Sequence, residues 1–334
     1  MIKIAINGFG RIGRQTFKRI LEQYPGLDVV AINDLTDTKT LAHLLKYDSN
    51  YGAFDKEVSF TESSISVSGK EFAVFSQAQT EKLPWKKLEV DIVLECTGAL
   101  RKEEDVKKHL KAGARKVIIS APAEERTIPG FILGVNENEL DINNVDIMDM
   151  GSCTTNCLAV MAKVLNDHFK IKKGFMTTVH SYTNDQRILD LPHKDLRRAR
   201  AAAINIIPTS TGAAKSIGKI MPALDGKLDG IALRVPTSVV SVLDLIVQVE
   251  KPTTKEEVNE VFKKASQELK GILRVDENEL VSMDFKGNTH SAIIDLGETM
   301  VNGDLVKVMG WYDNEWGYSC RLAEFAEFVA KKLS

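Results

Sequence analysis

Cysteine is sparse in this sequence: 4 among 334 residues, Cys96, Cys153, Cys157 and Cys320, with no C-x-x-C pair. Such scarcity excludes a disulfide-stapled scaffold and gives no zinc-ligand spacing, so free thiols in a reducing compartment are expected and no metal is. Long apolar runs are missing too. Nowhere do about 18 apolar residues follow one another, so no membrane span is expected. The N-terminal MIKIAINGFG passes from a short apolar run into glycines and Arg11, unlike a signal or transit peptide. Charge of one sign is also lacking, with 44 basic against 46 acidic side chains. No global field is then available for nucleic acid or an anionic membrane, and an anionic ligand must be held by a local site. The expectation is a cytoplasmic protein with neither membrane nor nucleic-acid partner. There is no internal repeat or flexible linker, and at about 100 to 200 residues per domain the length suggests two abutting domains.

Lys3–Asn7 reads as a short buried strand, and Arg14–Tyr24 sets Phe17, Ile20 and Leu21 on one helical face. Pro25 and Gly26 stop that helix, and Val29–Ile32 follows as a second apolar strand, completing a strand–helix–strand unit. Further strands are expected at Ile65–Val67, Phe72–Phe75, Asp91–Glu95 and Lys116–Ser120, with a charged helix over Lys102–Ala112. Alternating strands and helices predict an α/β, doubly wound (Rossmann) parallel sheet over residues 1–151. Beyond it the texture changes to one long helix, Thr154–Phe169, and longer strands at Lys173–His180, Gly230–Val235, Val239–Val249 and Leu305–Trp311. Those predict an α+β domain over 152–316 with a mainly antiparallel sheet. Thr183–Ala203 reads as a long ordered loop. A last helix over 317–334, with Leu322, Phe325, Ala326 and Val329 on one face, is expected to pack back on the first domain.

Gly8-Phe9-Gly10-Arg11-Ile12-Gly13 is G-x-G-x-x-G set between a strand and a helix. Its glycines permit a tight turn and close backbone approach, while the helix N-terminus offers N–H groups and partial positive charge to a pyrophosphate. Asp34, about 20 positions on at the tip of the second strand, suits a ribose 2′-hydroxyl and disfavours a 2′-phosphate. Cys153 stands where the second domain's long helix begins, a place that stabilises a thiolate. A buried, inert cysteine is the alternative, and Cys96, Cys157 and Cys320 are read that way. His180 ends a strand and leads into a polar loop, where it is either a base for the thiol or structural. Thr209-Ser210-Thr211-Gly212 is a turn able either to bind phosphate oxygens or to cap a helix. Arg234, inside an otherwise apolar strand, needs an anionic partner, whether a carboxylate or a ligand phosphate.

INGFGRIGR, AINDLTD, LLKYDS, ISAP, GVNE, SCTTNC, IIPTSTGAAK, LRVPT and WYDNEWGYS occur in that order from residue 6 to 319. On these motifs the chain resembles the glyceraldehyde-3-phosphate dehydrogenase family along its whole length. The resemblance implies a homotetramer that converts glyceraldehyde 3-phosphate, inorganic phosphate and NAD⁺ to 1,3-bisphosphoglycerate and NADH. It implies Cys153 as nucleophile and His180 as base, with Arg11 and Ile12 at the pyrophosphate, Asp34 on the adenosine ribose, Ser120 near the nicotinamide half and Asn314 on the carboxamide. It further implies Thr183 and Arg234 for the substrate phosphate, and Ser152, Thr154, Thr211, Gly212 and Arg198 for the attacking phosphate, with Arg197 and Arg200 close enough to exchange roles with Arg198. Leu191-Pro192 resembles the NAD-preferring members. The sequence departs from the family pattern at Met150-Gly151, Val160, Ser238-Val239 and Ser76–Gln79. Competing readings are a paralogue acting on erythrose 4-phosphate, a non-phosphorylating aldehyde dehydrogenase, and a redox sensor built on Cys153.

Overall fold

A computed structural model describes residues 1–333. Two compact units emerge: residues 1–131 and 139–150 with the segment from Ser319 on, and residues 132–138 with 151–318. The segment 132–138 joins the second unit because Ile132 sits in that unit's core and Gly134 packs against Leu269 and Ile272.

In the first unit the strands are apolar almost throughout, as sheets covered on both faces require; Ile4, Ala5, Ile6, Ile92, Val93 and Leu94 are completely buried. The sheet runs in the order Ile147–Asp149, Lys116–Ile119, Ile92–Glu95, Ile2–Asn7, Leu27–Asn33, Lys70–Phe75, Ser64–Val67, Val58–Phe60. The first six are parallel, as expected of a Rossmann sheet. Ser64–Val67 and Val58–Phe60 instead pair antiparallel, because the turns joining them are too short for a crossover. The helix Arg11–Gln23 buries Phe17 and Ile20. The helix Thr38–Lys46, which the sequence pattern did not reveal, starts at Asp37, whose side chain caps Thr40 N.

The second unit's sheet follows the order Ile207–Ser210, Leu228–Val235, Ile171–Ser181, Ser241–Val249, Leu305–Tyr312, Ala292–Asn302, Leu273–Asp276. Four of its pairings are antiparallel. Two are parallel, between Ile171–Ser181 and Leu228–Val235 and between Leu273–Asp276 and Ala292–Asn302. The first of these needs a crossover, and the helix Ala213–Ile220 lies on it. Leu158, Val164, Ile217 and Phe262 from the helices Cys153–Phe169, Ala213–Ile220 and Lys255–Glu268 cover one sheet face together with Leu243, Leu245, Val306 and Val308. On the other face Phe175, Ile231, Ile246 and Met300 stay exposed. The loop from Thr183 carries no helix or strand until a short turn at Ala202–Ile204.

The terminal helix spans Trp316–Leu333; the expected last position, Ser334, lies outside the described residues. Leu322, Phe325, Ala326 and Val329 are all fully buried, and Phe325 stacks on Phe131 in the first unit.

Phe262 is fully buried where its helix meets the second unit's sheet. Phe262→Ala should therefore cost about 3–5 kcal/mol through lost burial and a residual cavity, read as a lower urea midpoint against an unchanged wild-type control.

Candidate active site

The glycine turn of the first unit has the shape of a dinucleotide cradle. Gly8 holds φ at 92°, and a Cβ there would lie 2.6 Å from Thr97 N; one at Gly13 would lie 2.1 Å from Gly8 O. Only glycine permits that approach. A Cβ at Gly10 would meet nothing within 4 Å, so the side from which a ligand must come is open. Gly10 is the N-cap of the helix Arg11–Gln23, without a side-chain capping bond, so the first-turn N–H groups of Arg11, Ile12 and Gly13 are oriented for an anion. The Arg11 guanidinium is turned to Asp48, leaving its backbone as what it offers a pyrophosphate. Asp34 accepts from Phe9 N at 2.7 Å and from Thr36 N at 3.0 Å, which fixes its carboxylate beside the turn. Ser120 follows the strand Lys116–Ile119 and donates its N–H to Glu95 O. These residues fit the expected NAD.

In the second unit, strand register assembles the reactive groups. His180 and Arg234 are partners in the parallel ladder, so their side chains leave adjacent strands side by side. Cys153 is the first residue of the helix Cys153–Phe169, and Ser152, the N-cap, accepts from Thr155 N at 3.0 Å. The cap keeps Cys153 at the positive end of the helix dipole. Its sulfur lies 3.5 Å from His180 Nε2. On the other edge of the imidazole, Nδ1 lies 2.7 Å from Ser181 O and 2.5 Å from Arg234 Nη1. Arg234 also donates to Ser181 O, and among the described residues no carboxylate pairs with it.

Burial dominates the electrostatics here. It pushes the Cys153 thiol up, opposed by the Arg234 guanidinium and the Thr154 hydroxyl. Burial, followed by the charge of Arg234, pushes His180 down to about 3. Each group alone therefore resists its charged form. Opposite charges at this separation attract, so a proton passing from sulfur to Nε2, which creates both charges at once, costs less than ionising either group alone.

The remaining predicted residues surround this pair or sit on the neighbouring turn. Thr154 is buried, its hydroxyl bonded to Tyr312 OH, which also meets the Thr178 hydroxyl. Asn314 is buried and accepts from Ser241 Oγ, which in turn accepts from Ser181 N. Thr183 opens the long loop, its N–H donated to Gln186. Thr211 accepts from Ala213 N, and Gly212 precedes the helix Ala213–Ile220, so the turn leads directly into the start of that helix. Of the three neighbouring arginines, Arg198 reaches the turn, donating to Thr209 Oγ1 and Ser210 O, whereas Arg200 pairs with Asp190. Cys157 and Cys320 are buried as expected; Cys96 retains some exposure, although burial pushes its thiol up to about 12. No cluster of three or more His, Cys, Asp or Glu suited to a metal occurs among the described residues.

Tyr312 is the site residue that sequence reasoning missed. A signal was present in the strand Leu305–Tyr312, whose even positions all point inward and end at Tyr312. Asp185, paired with Arg198, and Asp48, paired with Arg11, were missed because a charged residue in a loop carries no period to mark it.

A Rossmann unit with a glycine cradle and an acidic strand tip, and a second unit with a thiol–imidazole pair, place the chain among the dinucleotide-dependent oxidoreductases that carry a reactive cysteine. Residues 2–103 match the family model described as glyceraldehyde 3-phosphate dehydrogenase, NAD binding domain, and residues 152–314 match that family's C-terminal domain. The chain is 56% identical over 333 residues to a glyceraldehyde-3-phosphate dehydrogenase of Geobacillus stearothermophilus, with 99% of each chain covered. It is 56% identical to glyceraldehyde-3-phosphate dehydrogenase 1 of Bacillus subtilis and 54% identical to the Streptomyces coelicolor protein, again over 99% of each. The chain belongs to the glyceraldehyde-3-phosphate dehydrogenase family.

If His180 is the proton acceptor for Cys153, His180→Asn should slow alkylation of Cys153 by iodoacetamide at pH 7 by about tenfold or more and move the rate–pH curve to higher pH, because the thiol then has no neighbouring base. The rate measured at Cys153 by peptide mapping checks this, and an unchanged curve would reject the pairing.

Proposed function

We propose that the protein catalyses the phosphorylating oxidation of glyceraldehyde 3-phosphate, with NAD⁺ and inorganic phosphate as co-reactants, giving 1,3-bisphosphoglycerate and NADH in glycolysis or gluconeogenesis. The observation that carries this reading is the 3.5 Å approach of Cys153 Sγ to His180 Nε2 at a helix N-terminus, beside a partly buried arginine. Residues 1–151, with the helix from 317, form the proposed NAD-binding domain, and 152–316 the catalytic domain. Gly8, Gly10, Arg11, Ile12, Gly13, Asp34 and Ser120 would hold NAD, and Asn314 is the residue proposed for its carboxamide. When bound, NAD⁺ supplies the hydride acceptor.

The Cys153 thiolate adds to the aldehyde carbon, forming the C–S bond and a thiohemiacetal, while the N–H of Cys153 is proposed to face the developing oxyanion. His180 Nε2 takes the hydroxyl proton as the C–H electrons depart, leaving a thioester on Cys153. Arg234, with Thr183, is assigned to the phosphate of the substrate. Burial is the main cause that keeps His180 unprotonated; a dianion on that guanidinium offsets the second, the Arg234 charge, so the charged substrate makes His180 a stronger base. Ser152, Thr154, Thr211, Gly212 and Arg198 are assigned to inorganic phosphate, whose oxygen attacks the thioester carbonyl. The C–S bond then breaks and the thiolate is restored.

We further propose a cytoplasmic homotetramer. Phe175, Ile231, Ile246 and Met300 on the uncovered sheet face, and Ile188, Leu189 and Leu196 on the long loop, are exposed apolar groups of the kind that subunit contacts cover. No helix among the described residues is long and apolar enough to cross a membrane.

NADH formation from glyceraldehyde 3-phosphate should require inorganic phosphate, fall to background in Cys153→Ser, and be far slower with NADP⁺. Turnover without phosphate would instead indicate a non-phosphorylating dehydrogenase, and turnover only with erythrose 4-phosphate a paralogue. Sedimentation equilibrium should return about four times the 37.0 kDa chain mass; a monomer would reject the tetramer.

A further inference from the structure

Beneath the glycine turn lies a buried polar chain that the reaction itself does not use. Asn7, Asn33 and Glu95 are the last residues of the three central parallel strands and stand at one level of the ladder, Asn7 opposite both of the others. All three are at least 95% buried, and Trp85 and His109 beside them are completely so. Apolar residues would pack such a place at lower desolvation cost, so a polar network here calls for a positional reason.

The direction of every hydrogen bond in it is fixed from its two ends. At one end the Gln77 backbone donates N–H to Asn33 Oδ1 and accepts from Asn33 Nδ2, which allows the Asn33 amide one orientation. Asn33 Nδ2 must then donate to Asn7 Oδ1, and Asn7 Nδ2 to Glu95 Oε2 at 2.5 Å. At the other end the indole of Trp85, a donor only, gives its N–H to His109 Nδ1. His109 is thereby the Nε2–H tautomer, and it donates to Glu95 Oε2 at 3.1 Å. Both chains terminate on Glu95. Its other oxygen accepts from the Thr97 N–H at 2.8 Å and from the Thr97 hydroxyl. Thr97 N is the atom that a Cβ on Gly8 would strike, so the residue Glu95 holds is the wall of the glycine turn.

We propose that Glu95 is a positioning residue of the dinucleotide site: as the acceptor-only junction of two donor chains, it sets Thr97 against Gly8 and thereby the affinity for NAD. The proposal rests on the reading that the glycine turn holds NAD. Glu95 touches neither substrate nor cofactor, and its effect should appear in binding rather than in turnover at saturation.

Glutamine is the same size as glutamate but must present an NH₂ to a position surrounded by donors. Glu95→Gln should weaken NAD binding, measured by isothermal titration calorimetry on the substrate-free protein, by about tenfold or more, the scale of one unsatisfied buried donor. The turnover number at saturating NAD⁺ should stay within about twofold, since only the binding step is affected. Moving the carboxylate one hydrogen bond along should repair the Asn7 side of the pattern: in Asn7→Asp/Glu95→Gln, residue 7 accepts from Asn33 and from the new amide, and gives the His109 Nε2–H an acceptor at the position 3.4 Å away, although the new amide still faces that N–H. Affinity should recover severalfold from the single variant, a coupling between contacting positions that a general loss of stability would not produce.

Should Glu95→Gln not fold, Thr97→Val decides. Thr97 is exposed, so this change removes its hydroxyl bond to Glu95 and should weaken NAD severalfold without moving the urea midpoint. Wild-type affinity in Thr97→Val, or no recovery in the double variant, overturns the proposal. Absence of NAD binding by the wild-type protein would be a different failure, that of the glycine-turn reading itself.

Discussion

The parallel pairing of Ile171–Ser181 with Leu228–Val235 is the constraint on which the reactive site depends. In that register His180 lies beside Arg234, and on the other flank Ser241 lies opposite Tyr312. A slip of one residue would turn every side chain to the opposite face of the sheet. The crossover that makes the pairing parallel also carries the helix Ala213–Ile220, whose leading turn holds Thr211 and Gly212. One topological choice therefore places His180, Arg234 and the hydroxyl-rich turn in the same unit. Cys153 comes from elsewhere in the sequence, held by Ser152 at the start of a helix whose remaining turns are core.

Burial works against charge in this site and is also what makes the charges effective. Sulfur and imidazole are each held neutral by desolvation, yet the low dielectric that imposes the penalty strengthens their mutual attraction. A negative charge set beside Arg234 would ease protonation of His180, since the guanidinium charge is the second cause, after burial, that holds it neutral. Tyr312 contributes from behind: its hydroxyl ties Thr154, the residue after Cys153, to Thr178 on the strand of His180. Helix start and strand are held together by a buried group that keeps its proton, its own ionisation being pushed well up by burial.

Much of this was legible in the sequence where a physical period or a forced backbone conformation left a mark. The strand–turn–helix was readable because the close backbone approach at Gly8 and Gly13 admits glycine alone. The buried face of the terminal helix was readable from the spacing of Leu322, Phe325, Ala326 and Val329. Strand direction was less accessible: Ser64–Val67 and Leu228–Val235 have ordinary strand patterns, and only their connections decide parallel or antiparallel. Polar side chains with no period, such as Asp48, Asp185 and the acceptor pattern converging on Glu95, became visible once partners distant in sequence were adjacent in space.

Two of the departures from the family pattern fall where the backbone is unusual, and their geometry explains how they are tolerated. Gly151 adopts φ 61°, and a Cβ there would press within 2.7 Å of the Thr155 side chain, so glycine suits both the turn and the close approach of the helix. After Ser238-Val239 the chain reaches Val240 at φ 69°, a region that costs a β-branched residue about 1–3 kcal/mol. Strain of that size persists only where the surroundings over-determine it. Val240 is 2% exposed, and its carbonyl accepts from Ser181 Oγ at 2.7 Å. The same serine donates its N–H to Ser241 Oγ, and its carbonyl lies against His180 Nδ1. The strained turn and the imidazole thus share Ser181 as a common anchor, so the orientation of His180 is held by groups of Ser181, Val240 and Ser241 that the departures at 238 and 239 leave unchanged.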